Sequence, residues 1–318
     1  AILDDYQDIV SSLHCFELLA GHEVTVLNQT YSERELLKRL EGIEALVLIR
    51  ERTPITEPLL SKLPDLKLIS QTGKVSNHVD PDLCKKYGVD VTEGVGSPIA
   101  PSELCWALIM SASRNIPSYV SNLQANKWQQ SGSLGLGRTL NGLTLGIWGY
   151  GKIGQRIAQY AIAFGMKVLV WGSEASRIKA TDHGFDSAST KEAFFSESDV
   201  ITLHLRLNHA TRGCVTKFDL SLMKPDSLFV NTSRAELVEA DALYTELVQN
   251  PTKRAALDVY DTEPASAEIE PLVSLPNVLA SPHLGYVERN SYELYFKIAF
   301  ENIVAYSRGK PQNVVCTR

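Results

Sequence analysis

Long apolar runs are missing from these 318 residues: none approaches the roughly 18 consecutive apolar residues that a membrane-crossing helix needs. Basic clusters are missing as well. With 31 Lys and Arg against 37 Asp and Glu, a formal net charge of -6, the chain is poorly equipped to grip nucleic acid by its phosphates. Cysteine is scarce and scattered. Cys15, Cys84, Cys105, Cys214 and Cys316 show no C-x-x-C spacing, which argues against a disulfide framework or zinc site and for reduced thiols in the cytoplasm. Low-complexity tracts and short-period repeats are absent. The opening AILDDYQDIV reads as a strand and its turn, without the layout of a signal peptide. No metal is expected either: His204, in VITLHL, alternates with apolar residues and has no second histidine at zinc spacing. Cys214, in TRGCVT, lacks a basic environment to activate it.

What remains is an ordinary globular composition, 44% hydrophobic and 21% charged, in a chain long enough for two domains. Short apolar runs at 2–4, 23–27, 45–49, 66–71 and 89–92 alternate with amphipathic stretches such as 32–40 and 80–86. That rhythm predicts α/β architecture, a doubly wound parallel sheet with helices on both faces. It breaks at EGVGSPIAPSELCWALIM, where Gly94, Gly96, Ser97 and Pro98 read as a linker and Ser102 as the cap of a long helix. A second series begins with LTLGIWG and continues through KVLVW, DVITLHL, SLFVNTS, AALDVY and NVLASP. The stretch 290–308 is helical again and is expected to return to the first domain. The division expected is 1–98 with 288–318 as one domain and 99–287 as the other.

The second series opens with an apolar strand that runs into Gly149-Tyr150-Gly151-Lys152-Ile153-Gly154 and then a helix. Gly149 suits a tight turn, Gly151 a close approach of backbone to a pyrophosphate, and Gly154 close packing of helix on strand. The helix N-terminus adds unpaired N–H groups and partial positive charge. Strand, turn, helix and second strand in that order make this a dinucleotide fingerprint. The acid expected after the second strand, to hold ribose hydroxyls, is missing: Gly172 stands there, followed by Ser173, Glu174 and, a little further on, Arg177. Arg177 and Ser173 suit a 2′-phosphate and NADP, whereas Glu174 suits ribose hydroxyls and NAD. The balance leans to NAD, with NADP as the alternative.

Three later strands end in polar groups: LFVNTSRAELVE with Arg234, AALDVYDTEP with Asp258 and Glu263, and NVLASPHLGY with His283. Ligands of open parallel sheets bind beyond the carboxyl ends of the strands, so these groups can converge on one cleft. With GYGKIG, NTSRAELVE, ALDVYDTEP and SPHLGY in this order, the chain resembles the D-isomer-specific 2-hydroxyacid dehydrogenases, among them phosphoglycerate, glycerate and D-lactate dehydrogenases. LIRERTPIT, SELCWALIM and LNGLTLGIWG match more weakly.

The resemblance implies a flavodoxin-like substrate domain, a Rossmann dinucleotide-binding domain and a dehydrogenase of 2-keto and D-2-hydroxy acids. It places Arg234, Glu263 and His283 on the family's catalytic arginine, glutamate and histidine. A guanidinium holds the substrate carboxylate and polarises its carbonyl. The histidine delivers a proton as hydride arrives, and the glutamate orients the imidazole and favours its cation. Asp258 resembles the family's acid near the nicotinamide. His204, Thr232, Ser233 and Gly285 are counted with the cofactor. The family's substrate loop carries two glycines; here Gly73 is present but Val75 replaces the second. Lys74 offers compensating charge, although solvation is its slightly favoured fate. Arg52 suits a second anionic group such as a phosphate, with Glu51 beside it weakening that idea. Arg206 replaces a proline common in the family.

A small keto or hydroxy acid is therefore the expected partner. A two-fold dimer contact is expected through 101–114 and Trp128, where Leu104, Trp106, Leu108 and Ile109 serve equally well as core. The alternative function is a dinucleotide-binding regulator resembling the corepressors built on this fold.

Overall fold

The computed structural model describes residues 1–317; Arg318, the last residue of the expected substrate domain, lies outside them. The chain divides into two compact units, Ala1–Ser97 with the stretch from Val287 onward, and Pro98–Tyr286.

In the first unit, strands β1 (Ala45–Ile49), β2 (Leu68–Thr72) and β3 (Asp90–Thr92) are parallel neighbours in that order. The runs expected as strands at 2–4 and 23–27 shrink to single parallel bridges, Ile2 with Val26 and with Val47. Those bridges still extend the order to the 2-1-3-4-5 pattern of a flavodoxin-like sheet. A strand not anticipated, Val314–Cys316, pairs antiparallel with β3 and closes the edge.

Side-chain caps open helices of this unit. Ser32 accepts from Glu35 N ahead of Glu33–Arg39, and Asp80 accepts from Asp82 N and Leu83 N ahead of Pro81–Lys86. The helix Arg289–Ser307 buries Tyr292, Tyr295, Phe296, Ala299 and Phe300, a one-face spacing. Burial of each Phe contributes roughly 1.5–3 kcal/mol.

The second unit is a seven-stranded parallel sheet. Its strands are β4 (Thr144–Trp148), β5 (Lys167–Trp171), β6 (Asp186–Ser187), β7 (Val200–Leu203), β8 (Leu228–Asn231), β9 (Arg254–Leu257) and β10 (Val278–Ala280). The order is β10-β9-β8-β7-β4-β5-β6, so the winding reverses between β4 and β7. Both faces are covered: Leu145, Ile147, Val170 and Val230 belong to one apolar cluster, and Ile201, Leu203, Phe229 and Leu257 to another. That two-sided burial explains why these strands read as continuous apolar runs.

The helix after the linker spans Ile99–Ser113 and begins at Pro98, ahead of the expected cap. Ser102 lies inside its first turn and donates to Pro98 O instead. Pro101 is compatible with the early start, because first-turn N–H groups have no helical partner to lose. On this helix Leu108 and Ile109 are buried, and Leu104 and Trp106 pack against the same cluster. All four are core. Exposed apolar side chains lie further on: Ile116, Val120 and Leu123 on the helix Ile116–Gln124, then Trp128 and Leu136.

Candidate active site

The register of the second sheet sets the site. Trp171, Trp148, Leu203, Asn231, Leu257 and Ala280 align across it. The residues just beyond them therefore emerge along one edge, the carboxyl ends of parallel strands. They are Ser173, the 149–154 turn, His204, Arg234, Asp258 and His283.

The glycine turn has the backbone its sequence requires. Gly149 has φ +102, and a Cβ there would lie 2.5 Å from His204 O. A Cβ on Gly154 would lie 2.2 Å from Gly149 O. Nothing lies within 4 Å of a Cβ built on Gly151, which precedes the helix Lys152–Ala163. The crowded glycines thus fix turn and helix, while the open one leaves room for a phosphate beside the helix N-terminus. Tyr150 turns its ring into the core, with Oη 3.0 Å from His183 Nδ1, so only its backbone faces the turn. Ile153 packs on the same core and Lys152 is exposed.

Ser173 caps the helix Glu174–Asp182, its Oγ accepting from Ser176 N at 3.3 Å. Glu174 is exposed, and the Arg177 guanidinium sits 5.0 Å from the centre of the Trp171 ring. His204 Nε2 lies 3.1 Å from Thr202 Oγ1. Burial pushes its pKa down to about 3, so the ring beside the turn is neutral.

Past β8, Asn231 holds the bend: its Nδ2 donates to Arg234 O at 2.8 Å, and its Oδ1 accepts from Ser233 N at 3.0 Å. Ser233 Oγ donates to Leu203 O, and Arg234 Nη1 donates to Ser233 O at 2.6 Å. Thr232 lies against Cys105 at the base of this bend. Arg212 reaches Glu236 on the surface beside this bend, with Nη2 3.7 Å from Oε1.

His283 and Glu263 meet directly, with Nδ1 2.7 Å from Glu263 Oε2. Glu263 Oε1 accepts from Tyr260 N at 3.1 Å, which fixes the carboxylate. His283 itself has φ +52, a left-handed backbone that a branched or bulky residue rarely adopts. Asp258 holds it there. Its Oδ1 accepts from Leu284 N at 2.7 Å and Ser281 Oγ at 2.6 Å, and its Oδ2 accepts from Gly285 N at 2.9 Å. Burial raises the Asp258 pKa above the ordinary carboxylate value, against these hydrogen bonds. Ser281, Asn231 and Tyr260 were not singled out in the sequence, where only proximity to a strand end marks them.

The substrate residues expected in the first unit cluster at its own strand ends. Gly73 follows β2 at φ +102, and a Cβ on it would lie 2.1 Å from Arg50 Nη1. Lys74 is not simply solvated: it forms an ion pair with Glu93, whose Oε2 also accepts from Val75 N at 3.0 Å. Arg52 donates to Asp4 O at 2.6 Å and stacks 4.4 Å from the Tyr6 ring centre.

Residues 106–285 match the model of the D-isomer specific 2-hydroxyacid dehydrogenase NAD-binding domain. A hydroxypyruvate reductase of Thermotoga maritima is 32% identical over 271 residues, covering 84% of this chain and 86% of that one. A D-3-phosphoglycerate dehydrogenase of Methanocaldococcus jannaschii is 31% identical, over 89% of this chain but 54% of its own length. The crystal structure of a phosphoglycerate oxidoreductase from Vibrio cholerae O395 superposes with a TM-score of 0.96 at 65% identity, covering 97% of this chain and 98% of that one. The chain belongs to the D-isomer specific 2-hydroxyacid dehydrogenase family. It is an NAD-binding oxidoreductase of that family, and among the described residues no helix is long and apolar enough to cross a membrane.

Proposed function

We propose that this chain interconverts a 2-keto acid and a D-2-hydroxy acid, with His283 as proton donor in reduction and acceptor in oxidation. The observation that carries this is the 2.7 Å contact between His283 Nδ1 and Glu263. It commits one ring nitrogen to an anion and leaves Nε2 to serve a substrate oxygen. The pairing holds the imidazole in one orientation and favours the cation that donates the proton.

Arg234 presents a planar fork of fixed charge to the substrate carboxylate and carbonyl. Within the first unit, Gly73, Lys74, Val75 and Arg52 carry backbone N–H groups and cations of a kind suited to anionic groups. NADH, when bound, supplies the hydride. The turn from Gly149 to Gly154 would hold its pyrophosphate, since Gly151 is open and helical N–H groups stand behind it. Ser173, Glu174 and Arg177 would meet the adenosine ribose, and His204, Thr232, Ser233, Asp258 and Gly285 would line the remainder.

The exposed apolar side chains Ile116, Val120 and Leu123, with Trp128 at 73% exposed, offer a face that a second copy would cover. All five cysteines are free thiols, which fits a reducing compartment such as the cytoplasm.

The test is a panel of hydroxypyruvate, glyoxylate, pyruvate and 3-phosphohydroxypyruvate with NADH and NADPH. Wild type is expected to reduce at least one, and His283→Ala to lower kcat on it by roughly 10²–10⁴. Near-normal turnover by His283→Ala overturns the assignment. Dinucleotide binding without turnover on any keto acid favours a regulator instead.

A further inference from the structure

We propose that Glu93 is a built-in occupant of an anion-binding loop, and that it tunes how strongly acidic ligands bind there. The loop follows β2. Its Lys74 ammonium and Val75 N–H both engage the Glu93 carboxylate, the first through Oε1 and the second through Oε2 at 3.0 Å. One ammonium and one backbone N–H on the two oxygens of one carboxylate form a carboxylate receptor, and in this structure the chain fills it with its own side chain.

Glu93 is held in place from behind. Its N–H donates to Asn313 O at 3.0 Å, its carbonyl accepts from Asn302 Nδ2 at 3.2 Å, and the next residue, Gly94, donates to Gly73 O at 2.6 Å. The close approach of that last pair depends on glycine, because a Cβ on Gly94 would lie 2.7 Å from Gly73 N. The Arg50 guanidinium packs against Gly73, 2.1 Å from where a Cβ on it would lie, so a second fixed cation borders the loop. The position is the carboxyl end of a central parallel strand, where ligands of such sheets bind.

An incoming carboxylate therefore meets donors already neutralised and a resident negative charge. The Glu93 side chain is 24% exposed, so this charge is only partly screened by water. Removing it releases Lys74 and removes the repulsion, and both changes favour an acidic ligand. Glu93→Gln retains an oxygen to accept from Val75 N, so the loop keeps its shape while the charge is lost. The identification of that ligand as a 2-keto acid rests on the proposed function; the receptor itself does not.

The experiment is calorimetric titration of oxalate into the full chain with NADH present. It compares wild type, Glu93→Gln, Glu93→Ala and Lys74→Met, each checked for folding by circular dichroism. Oxalate is expected to bind about tenfold more tightly to Glu93→Gln, the worth of one partly screened charge a few ångströms away. That gain should shrink in high salt, and Lys74→Met should bind more weakly than wild type. In turnover, KM for the best keto acid falls in Glu93→Gln while kcat stays within about twofold, the split expected of uniform binding. Unchanged or weaker oxalate binding in both Glu93 variants overturns the inference, as does absence of oxalate binding to all four proteins. Lack of keto-acid turnover by wild type would sink the proposed function while leaving the oxalate result to decide on Glu93.

Discussion

Asp258 offers a sharp test of how the histidine is held. It is 1% exposed, and three donors converge on its two oxygens: Leu284 N and Ser281 Oγ on one, Gly285 N on the other. Asp258→Asn keeps the shape and one acceptor oxygen. Placed where Oδ1 is, that oxygen still serves Leu284 and Ser281, but the amide nitrogen then faces Gly285 N–H, donor against donor. A buried donor left unmatched costs about 1–3 kcal/mol. The segment that must yield is 281–285, which carries His283 at φ +52. A shift there of about an ångström is expected to lower kcat by about 10- to 100-fold.

The pH dependence gives the same experiment a sign. Burial raises the folded-state pKa of Asp258 above the ordinary carboxylate value. Between the two values the folded chain binds more protons than the unfolded one, so this group's contribution to stability falls as pH rises through the window. It is fully present below the ordinary value, in acid. Asp258→Asn has no such contribution, so the stability gap between wild type and variant should be widest in acid and narrow toward neutrality. Urea unfolding at a series of pH values measures it, with other carboxylates cancelling in the difference. A gap that grows with rising pH, or equal turnover and equal stability at all pH values, refutes the reasoning.

Gly154→Ala places a methyl group 2.2 Å from Gly149 O; dinucleotide affinity measured by fluorescence titration should fall at least about tenfold, and unchanged affinity counts against the turn as the phosphate cradle. Arg177→Ala should reduce kcat/KM with NADPH by more than it reduces that with NADH, because a 2′-phosphate loses a cation that ribose hydroxyls do not need; equal effects on both place Arg177 outside the cofactor contact. Leu123→Glu with Trp128→Glu puts charge on the exposed apolar face, and sedimentation should show a smaller species than wild type; an unchanged species means that another surface, or none, joins copies.

What the residues announced beforehand follows from how local each signal is. The strands of the second unit stood out because both sheet faces are buried, so β4, β5, β7 and β8 are nearly unbroken apolar runs. Asp186–Ser187 is polar and only two residues long, and Val314–Cys316 is a short antiparallel edge; neither has a run long enough to read. The long helix starts at Ile99, ahead of the cap expected at Ser102, because Pro101 is tolerated in a first turn. Ile2, Leu3 and Leu27 are buried, yet the runs at 2–4 and 23–27 pair only through the bridges of Ile2 with Val26 and with Val47.

The chemical site divides along the same line. Arg234, Glu263 and His283 each sit at the end of a recognisable segment, and a motif can mark them. The partners that position them are another matter. Asp258 was read as an acid facing the nicotinamide, but both of its oxygens are engaged by the segment that carries His283, which makes it at least as much an anchor of that segment. Glu93 lies 18 residues from Val75 and meets it only because β2 and β3 are parallel neighbours. No spacing along the chain encodes such a contact. Residues that touch a reacting group are restricted in type by its chemistry, so their identity is informative by itself. Residues that hold them are restricted only by geometry, and geometry becomes visible once the strands are set side by side.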